Sequence, residues 1–289
     1  MSEDNPKKSL GQHWLHDTSS LVAMAEAAEV QSGDTVLEVG PGLGTLTEVL
    51  LARGAHVTAV EFDDELAREL PRKLISRHLE RSKAQSKDLV SDQEQILQQA
   101  QDDKLKIINE DILKFDLSAL PKDYKVCANI PYYLTSNLIR RLLESDNPPA
   151  VMALLIQKEV AERIASGPGE MSILAVATQF YAEVKLCQLV PAELFTPPPK
   201  VDSQIIQIKR RKTPLFPEVD TQKFFQIVRA GFSEKRKKLR SSLSGGLQIT
   251  KPEADEILKK AGISSDARAQ ELTLEQWHDI YKVFNVVSV

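Results

Sequence analysis

Cysteine is scarce in this chain, with two in 289 residues, and no apolar run approaches the about 20 residues that a bilayer-spanning helix requires. The second absence excludes a helical membrane protein, and no membrane partner is expected. Cys127 and Cys187 both fall in apolar, strand-like segments, so buried free thiols in a reducing cytoplasm are the expectation. The opening residues, MSEDNPKKSLGQ, carry charges but no apolar stretch, and no secretory signal is expected. No metal is expected. Positive charge is also short overall. A net charge of −4 would argue against a nucleic-acid partner if it were evenly spread. It is not: from Lys209 onward there are 16 Lys and Arg against 10 Asp and Glu, and the rest of the chain is correspondingly acidic. That asymmetry is expected when one region faces phosphates.

What is present reads as a soluble globular protein, 42% hydrophobic and 27% charged, long enough for one large domain or two. Short β-branched runs, TVLEV (35–39), HVTAV (56–60), LKIIN (105–109), YKVCAN (124–129) and VMALLI (151–156), alternate with helical patterns. Such alternation predicts a doubly wound α/β domain with a mostly parallel sheet. EVKLCQLV (183–190) and SQIIQIKR (203–210), joined by a Pro-rich loop, predict an antiparallel edge. Beyond residue 210 the strand signals end. Helical patterns at 221–232, 234–243, 252–261 and 273–285, with Gly245-Gly246 as a break, predict a small all-helical domain over 211–289, after a first domain over 1–210. Residues 76–104 contain six Gln and few apolar residues. They read as an exposed helical insertion or a disordered loop without chemistry.

The strand TVLEV runs into Glu38-Val39-Gly40-Pro41-Gly42-Leu43-Gly44 and then a helix. Glycines there permit a tight turn and bring backbone N–H groups close to a ligand. Thr45 stands where a dinucleotide fingerprint has Gly or Ala, and no Gly-Lys-Ser/Thr follows, so a P-loop is excluded. Glu61 ends the second strand, 21 residues after Gly40. An acid at that offset can accept both hydroxyls of a ribose, or simply sit at a surface strand end. Asp111, after the third strand, can accept an adenine amine or cap the following turn. Asn129-Ile130-Pro131-Tyr132 follows the fourth strand at the same sheet edge, where open α/β sheets bind ligands. A side-chain amide and a carbonyl held rigid by proline give two acceptors suited to a planar amine. Tyr132 offers a face on which a base stacks. The bland alternative is a strand-end turn with core tyrosines.

Taken together, Lys8-Ser9-Leu10-Gly11-Gln12, Glu38-Val39-Gly40-Pro41-Gly42, Asn129-Ile130-Pro131-Tyr132 and Phe195-Thr196-Pro197-Pro198-Pro199-Lys200-Val201-Asp202-Ser203 resemble, in order, the motifs of the small-subunit rRNA adenine dimethyltransferases. The resemblance implies a Rossmann-like class I methyltransferase domain with a helical rRNA-binding domain, and S-adenosyl-L-methionine as cofactor. It implies that His13, Leu15, Gly40, Gly42, Glu61, Asp111 and Asn129 form the cofactor site. Asn129, Ile130, Pro131 and Tyr132 would act on the target amine, and Phe195 with Tyr132 would sandwich the adenine. The chain departs from the family at His13-Trp14, where Asn-Phe is usual, although a histidine can still offer a donor to the methionine carboxylate. Lys235, Arg236, Lys237, Lys238 and Arg240, with the run at 209–212, are expected to contact RNA phosphates.

The reaction so implied is methyl transfer to N6 of two adjacent adenosines in the 3′-terminal hairpin loop of small-subunit rRNA, by a cytoplasmic monomer acting on a pre-ribosomal particle. A large-subunit dimethylase of the macrolide-resistance type is the nearest rival, and the Thr-Pro-Pro-Pro-Lys-Val-Asp-Ser form and the acidic charge lean away from it. A glutamine-N5 protein methyltransferase would need neither Phe195 nor the basic run. A non-catalytic ribosome-assembly or RNA-binding factor would not need an intact Gly40, Glu61 and Asn129. A NAD-dependent dehydrogenase is disfavoured by Thr45 and by the lack of a catalytic acid–base set.

Overall fold

The structure, a computed structural model, describes residues 12–85, 104–234 and 236–287. The strands are β1 (Trp14–Leu15), β2 (Thr35–Val39), β3 (His56–Glu61), β4 (Leu105–Asn109), β5 (Lys125–Asn129), β6 (Val151–Gln157), β7 (Ala182–Val190), β8 (Phe195–Thr196) and β9 (Ser203–Arg210). The helices are α1 (Thr18–Ala27), α2 (Thr45–Ala52), α3 (Asp64–Gln85), α4 (Thr135–Leu143), α5 (Lys158–Ile164), α6 (Ile173–Tyr181), α7 (Thr221–Phe232), α8 (Leu239–Leu247), α9 (Lys251–Lys260) and α10 (Leu274–Val287). They divide between two compact units. One holds the residues to Ala161 and Lys185–Arg210; the other holds Glu162–Val184 and the chain from Arg211. Residues 162–184, read in sequence as part of the first domain, thus belong with the C-terminal helices.

In the first unit a Rossmann-like sheet has the order β4-β3-β2-β5-β6-β9-β7. The pairs from β4 through β6 are parallel, and β9 runs antiparallel to β6. The central strands are buried on both faces, which is why they read as continuous apolar runs. β5 carries the fully buried Cys127. Cys187 is a correction: it lies on the edge strand β7, most of whose residues face solvent, and is only half-buried. Apart from the sheet, β1 and β8 pair antiparallel, with Trp14 opposite Thr196 and Leu15 opposite Phe195. α3 runs on to Gln85, so the segment read as an insertion begins as helix; its residues 86–103 lie outside the described residues.

The second unit packs aromatic residues around Phe180, Phe224 and Trp277. The helix expected at 234–243 is displaced to Leu239–Leu247, and Gly245-Gly246 lies inside it rather than breaking it. Packing is the reason. A Cβ on Gly246 would come within 2.6 Å of Ala230 Cα on α7, so the two helices meet backbone to backbone there. Gly245 has nothing within 4 Å. Opposite signs are expected for these neighbours. Gly246→Ala should cost about 1–3 kcal/mol by overpacking, while Gly245→Ala should be neutral or stabilise by up to about 1 kcal/mol through helix propensity. Chemical denaturation of the two variants measures both, and equal effects would refute the packing explanation.

Candidate active site

The parallel strands end at one edge, and a cavity of about 260 Å³ opens there. Gly40, Gly42 and Gly44 all have positive φ, so the chain turns sharply between β2 and α2 with backbone exposed to the cavity. The turn is held from β3: Glu61 accepts N–H groups from Gly42 at 3.0 Å and from Asp63 at 2.9 Å. Glu61 is buried, and desolvation raises its pKa while those N–H groups oppose the rise. On the far side Arg77 of α3 donates to Leu43 O and pairs with Glu48 of α2 at 2.8 Å. Nothing in the sequence pattern assigned Arg77 a role.

Asp111 caps the following turn and also stands at the cavity. Its Oδ1 accepts from Leu113 N at 2.9 Å. Gly40, Gly42, Glu61, Asp111, Asn129, His13 and Leu15 all line the same cavity, as do Ile130, Pro131, Tyr132 and Phe195. Leu15 contributes by its backbone: its side chain is buried in the core, and its carbonyl accepts the Thr45 hydroxyl at 3.1 Å. Trp14 closes over the glycine turn, 3.6 Å from where a Gly42 Cβ would be.

Asn129 Nδ2 donates to His13 O at 3.1 Å. The donor end of the amide is therefore committed, and Oδ1 is the acceptor end. Pro131, at φ −55°, fixes the chain after Ile130. The Tyr132 hydroxyl meets Ser203 Oγ at 2.9 Å, joining the tetrapeptide to the last residue of the Pro-rich motif. Its ring stacks on His13 with centroids 6.2 Å apart. His13 Nδ1 lies 2.7 Å from Pro197 O, which can only accept, so Nδ1 carries the hydrogen. A donor at Nε2 then requires the imidazolium, which narrows the role expected for this residue. Lys8–Gly11 of the N-terminal motif lies outside the described residues.

In the other unit Arg236, Lys237 and Lys238 are exposed and Arg240 is partly so; Lys235 lies outside the described residues. Lys237 pairs with Glu234, Lys238 with Asp266 and Arg240 with Asp255. Charge was legible in the sequence, but these partners were not, because Asp255 comes from α9 and Asp266 from the turn after it.

The cavity's chemistry fits a cationic nucleoside such as S-adenosylmethionine. Among its described lining residues are four carboxyl groups and no lysine or arginine, and both oxygens of the buried Glu38 lack a hydrogen-bond partner among the described residues. No helix among the described residues is long and apolar enough to cross a membrane.

A family model described as ribosomal RNA adenine dimethylase matches residues 3–286. A protein from Dehalococcoides mccartyi (strain CBDB1), named ribosomal RNA small subunit methyltransferase A, is 39% identical over 94% of this chain and 86% of its own. The crystal structure of the 23S rRNA methyltransferase ErmE is similar at 26% identity and a TM-score of 0.69, over 94% of this chain and 99% of its own. A dimethyladenosine transferase from Plasmodium falciparum shares the fold, with 22% identity, a TM-score of 0.74 and coverage of 96% of this chain and 99% of its own. Matched over nearly its whole length, and with residues of all four motifs at one cavity, the chain belongs to the ribosomal RNA adenine dimethylase family, a family of S-adenosylmethionine-dependent rRNA methyltransferases.

Proposed function

We propose that the chain methylates N6 of two adjacent adenosines in the 3′-terminal hairpin loop of small-subunit rRNA, giving N6,N6-dimethyladenosine, as a cytoplasmic monomer acting on a pre-ribosomal particle. The observation that carries the chemistry is the commitment of Asn129 Nδ2 to His13 O, which leaves Oδ1 as an acceptor at the cavity beside Ile130. The small-subunit target is supported by the name of the 39%-identical relative and by the Thr-Pro-Pro-Pro-Lys-Val-Asp-Ser form, since the fold alone is shared with a 23S enzyme.

S-adenosylmethionine, when bound, supplies the electrophilic methyl group. The glycine turn, Glu61, Asp111, His13 and Leu15 would hold it. Adenine N6 is a poor nucleophile because its lone pair is delocalised into the ring. Asn129 Oδ1 and the Ile130 carbonyl accept its two hydrogens, favour a more tetrahedral nitrogen and stabilise the positive charge that develops on attack. Neither oxygen takes the proton, which leaves to water. Tyr132 and Phe195 hold the base, which must first leave its stack at a cost of a few kcal/mol; a loop adenosine does so more readily than a paired one. Arg236, Lys237, Lys238 and Arg240 meet phosphates, the last three by exchanging surface carboxylate partners whose pairing is worth only about 0–1 kcal/mol each. The helical unit is thus the rRNA-binding domain.

Asn129→Ala should lower methyl transfer by about 100- to 1,000-fold and leave RNA binding nearly intact, as read by single-turnover kinetics and RNA filter binding. Full activity in this variant would sink the mechanism. Incubation with labelled S-adenosylmethionine and unmethylated small or large subunits, followed by mapping of the labelled nucleotide, should place the label in the small-subunit loop. Label on the large subunit would select the rival. Replacing Arg236 and Lys237 by Gln should weaken RNA binding and make the log–log salt slope shallower by about 1 for each phosphate that is no longer neutralised. An unchanged slope removes these residues from the RNA surface.

A further inference from the structure

Glu38, the penultimate residue of β2, has no part in the mechanism above. It is 1% exposed, lines the cavity, and neither of its oxygens has a hydrogen-bond partner among the described residues. Its strand neighbours are Ala59 on β3 and Cys127 on β5. Thr47 of α2 lies near enough to favour the ionised form in part, without hydrogen-bonding geometry.

The titratable groups around it do not neutralise it. Glu61 adds negative charge, and Asp63 stands beside Glu61. The Cys127 thiol is held neutral, by burial first and then by Glu38 itself. Lys125 is paired with Asp34, Arg53 with Glu26, and Arg77 with Glu48. Glu110 and Asp111 are the other carboxyls at the cavity, and His13 is the one basic side chain among its described lining residues. Desolvation, helped by Glu61, pushes the Glu38 carboxyl up to about 8, so at neutral pH it carries a proton.

We propose that Glu38 is the charge-selective residue of this cavity: it holds a proton until a sulfonium-bearing nucleoside enters, releases that proton to solvent on binding, and takes it back when methyl transfer leaves an uncharged thioether. The inference rests on the S-adenosylmethionine reading of the site. The step balances as loss of one proton from a carboxylic acid to buffer, with a carboxylate left to face the cation. Its sign follows from linkage. A cation lowers the pKa of Glu38, so affinity for S-adenosylmethionine rises with pH between the lowered bound value and the free value of about 8, and levels off above it. S-adenosylhomocysteine lacks the sulfonium and gains nothing. Methyl transfer itself then weakens the hold on the product.

The test is calorimetric titration of the full chain near neutral pH, in buffers of different ionisation enthalpy, with S-adenosylmethionine and with S-adenosylhomocysteine. The α-amino and carboxylate groups are common to both ligands, but the sulfonium lowers the α-amino pKa, so each free ligand's own titration is measured and subtracted, and the remaining difference isolates the protein's response to the sulfonium. Up to about one more proton should be released with S-adenosylmethionine, and its affinity should gain up to about tenfold per pH unit relative to S-adenosylhomocysteine below the free pKa. Glu38→Gln, which mimics the protonated shape but does not titrate, should abolish the difference while still binding S-adenosylhomocysteine. Equal proton counts in the unaltered protein overturn the proposal, whether or not the variant folds; so does a difference that persists in a folded Glu38→Gln protein. Failure of both ligands to bind overturns the cofactor reading and the proposal with it. Binding of both with equal proton counts overturns the proposal alone.

Discussion

The carboxylate of Glu61 accepts N–H groups from Gly42 and Asp63, and so ties the turn after β2 to the end of its neighbour β3. A buried carboxylate must be met by donors or by cations, and here the donors are backbone. The turn they hold starts α2, whose first residue gives its hydroxyl to Leu15 O and so draws the N-terminal segment onto the cavity. Gly44 packs so tightly under Leu70 of α3 that a Cβ would stand 2.5 Å from its Cδ1. The same helix reaches back with Arg77 to the turn carbonyl of Leu43. One side chain at a strand end thus fixes the loop, and two helices lock it.

Most of the sheet was legible because buried parallel strands have a plain signature, and SQIIQIKR and LKIIN match β9 and β4 residue for residue. Asn129, Glu61 and Asp111 were legible for a related reason: each sits where such a run stops, and stopping points share one edge. Packing between helices has no such local mark. Gly245-Gly246 looked like a break because glycine usually is one, and only Ala230 on a facing helix explains its place inside α8. The contact that orients His13 was not legible, because its Nδ1 partner is a backbone carbonyl 184 residues away. Trp14 and Leu15 carry no strand signal because a two-residue β-bridge has no period to detect.

The cavity and the basic segment lie in different units of the chain. The described residues that line the cavity all belong to the first unit, and the fold as a whole is similar to that of a 23S rRNA methyltransferase. The basic segment lies in the second unit, folded on its own aromatic core and with its charges engaged by acids of the same unit. Weak surface pairs of this kind keep cations soluble and oriented, and a phosphate can displace them at little cost. An acidic chain can in this way present a basic face.

The pairing of Trp14–Leu15 with Phe195–Thr196 also sets a schedule for the nascent chain. The glycine turn and the carboxylates are all synthesised by residue 111, and the tetrapeptide by residue 132. The wall formed by His13 and Phe195 can close only after residue 197 has left the ribosome, since the longest of the bonds that join it spans 184 positions. Contacts of such long sequence separation form late, because the intervening loop must be closed before they repay it. A chain halted before that point carries most of the cavity but not its closing wall, so premature termination yields a fragment without a finished site.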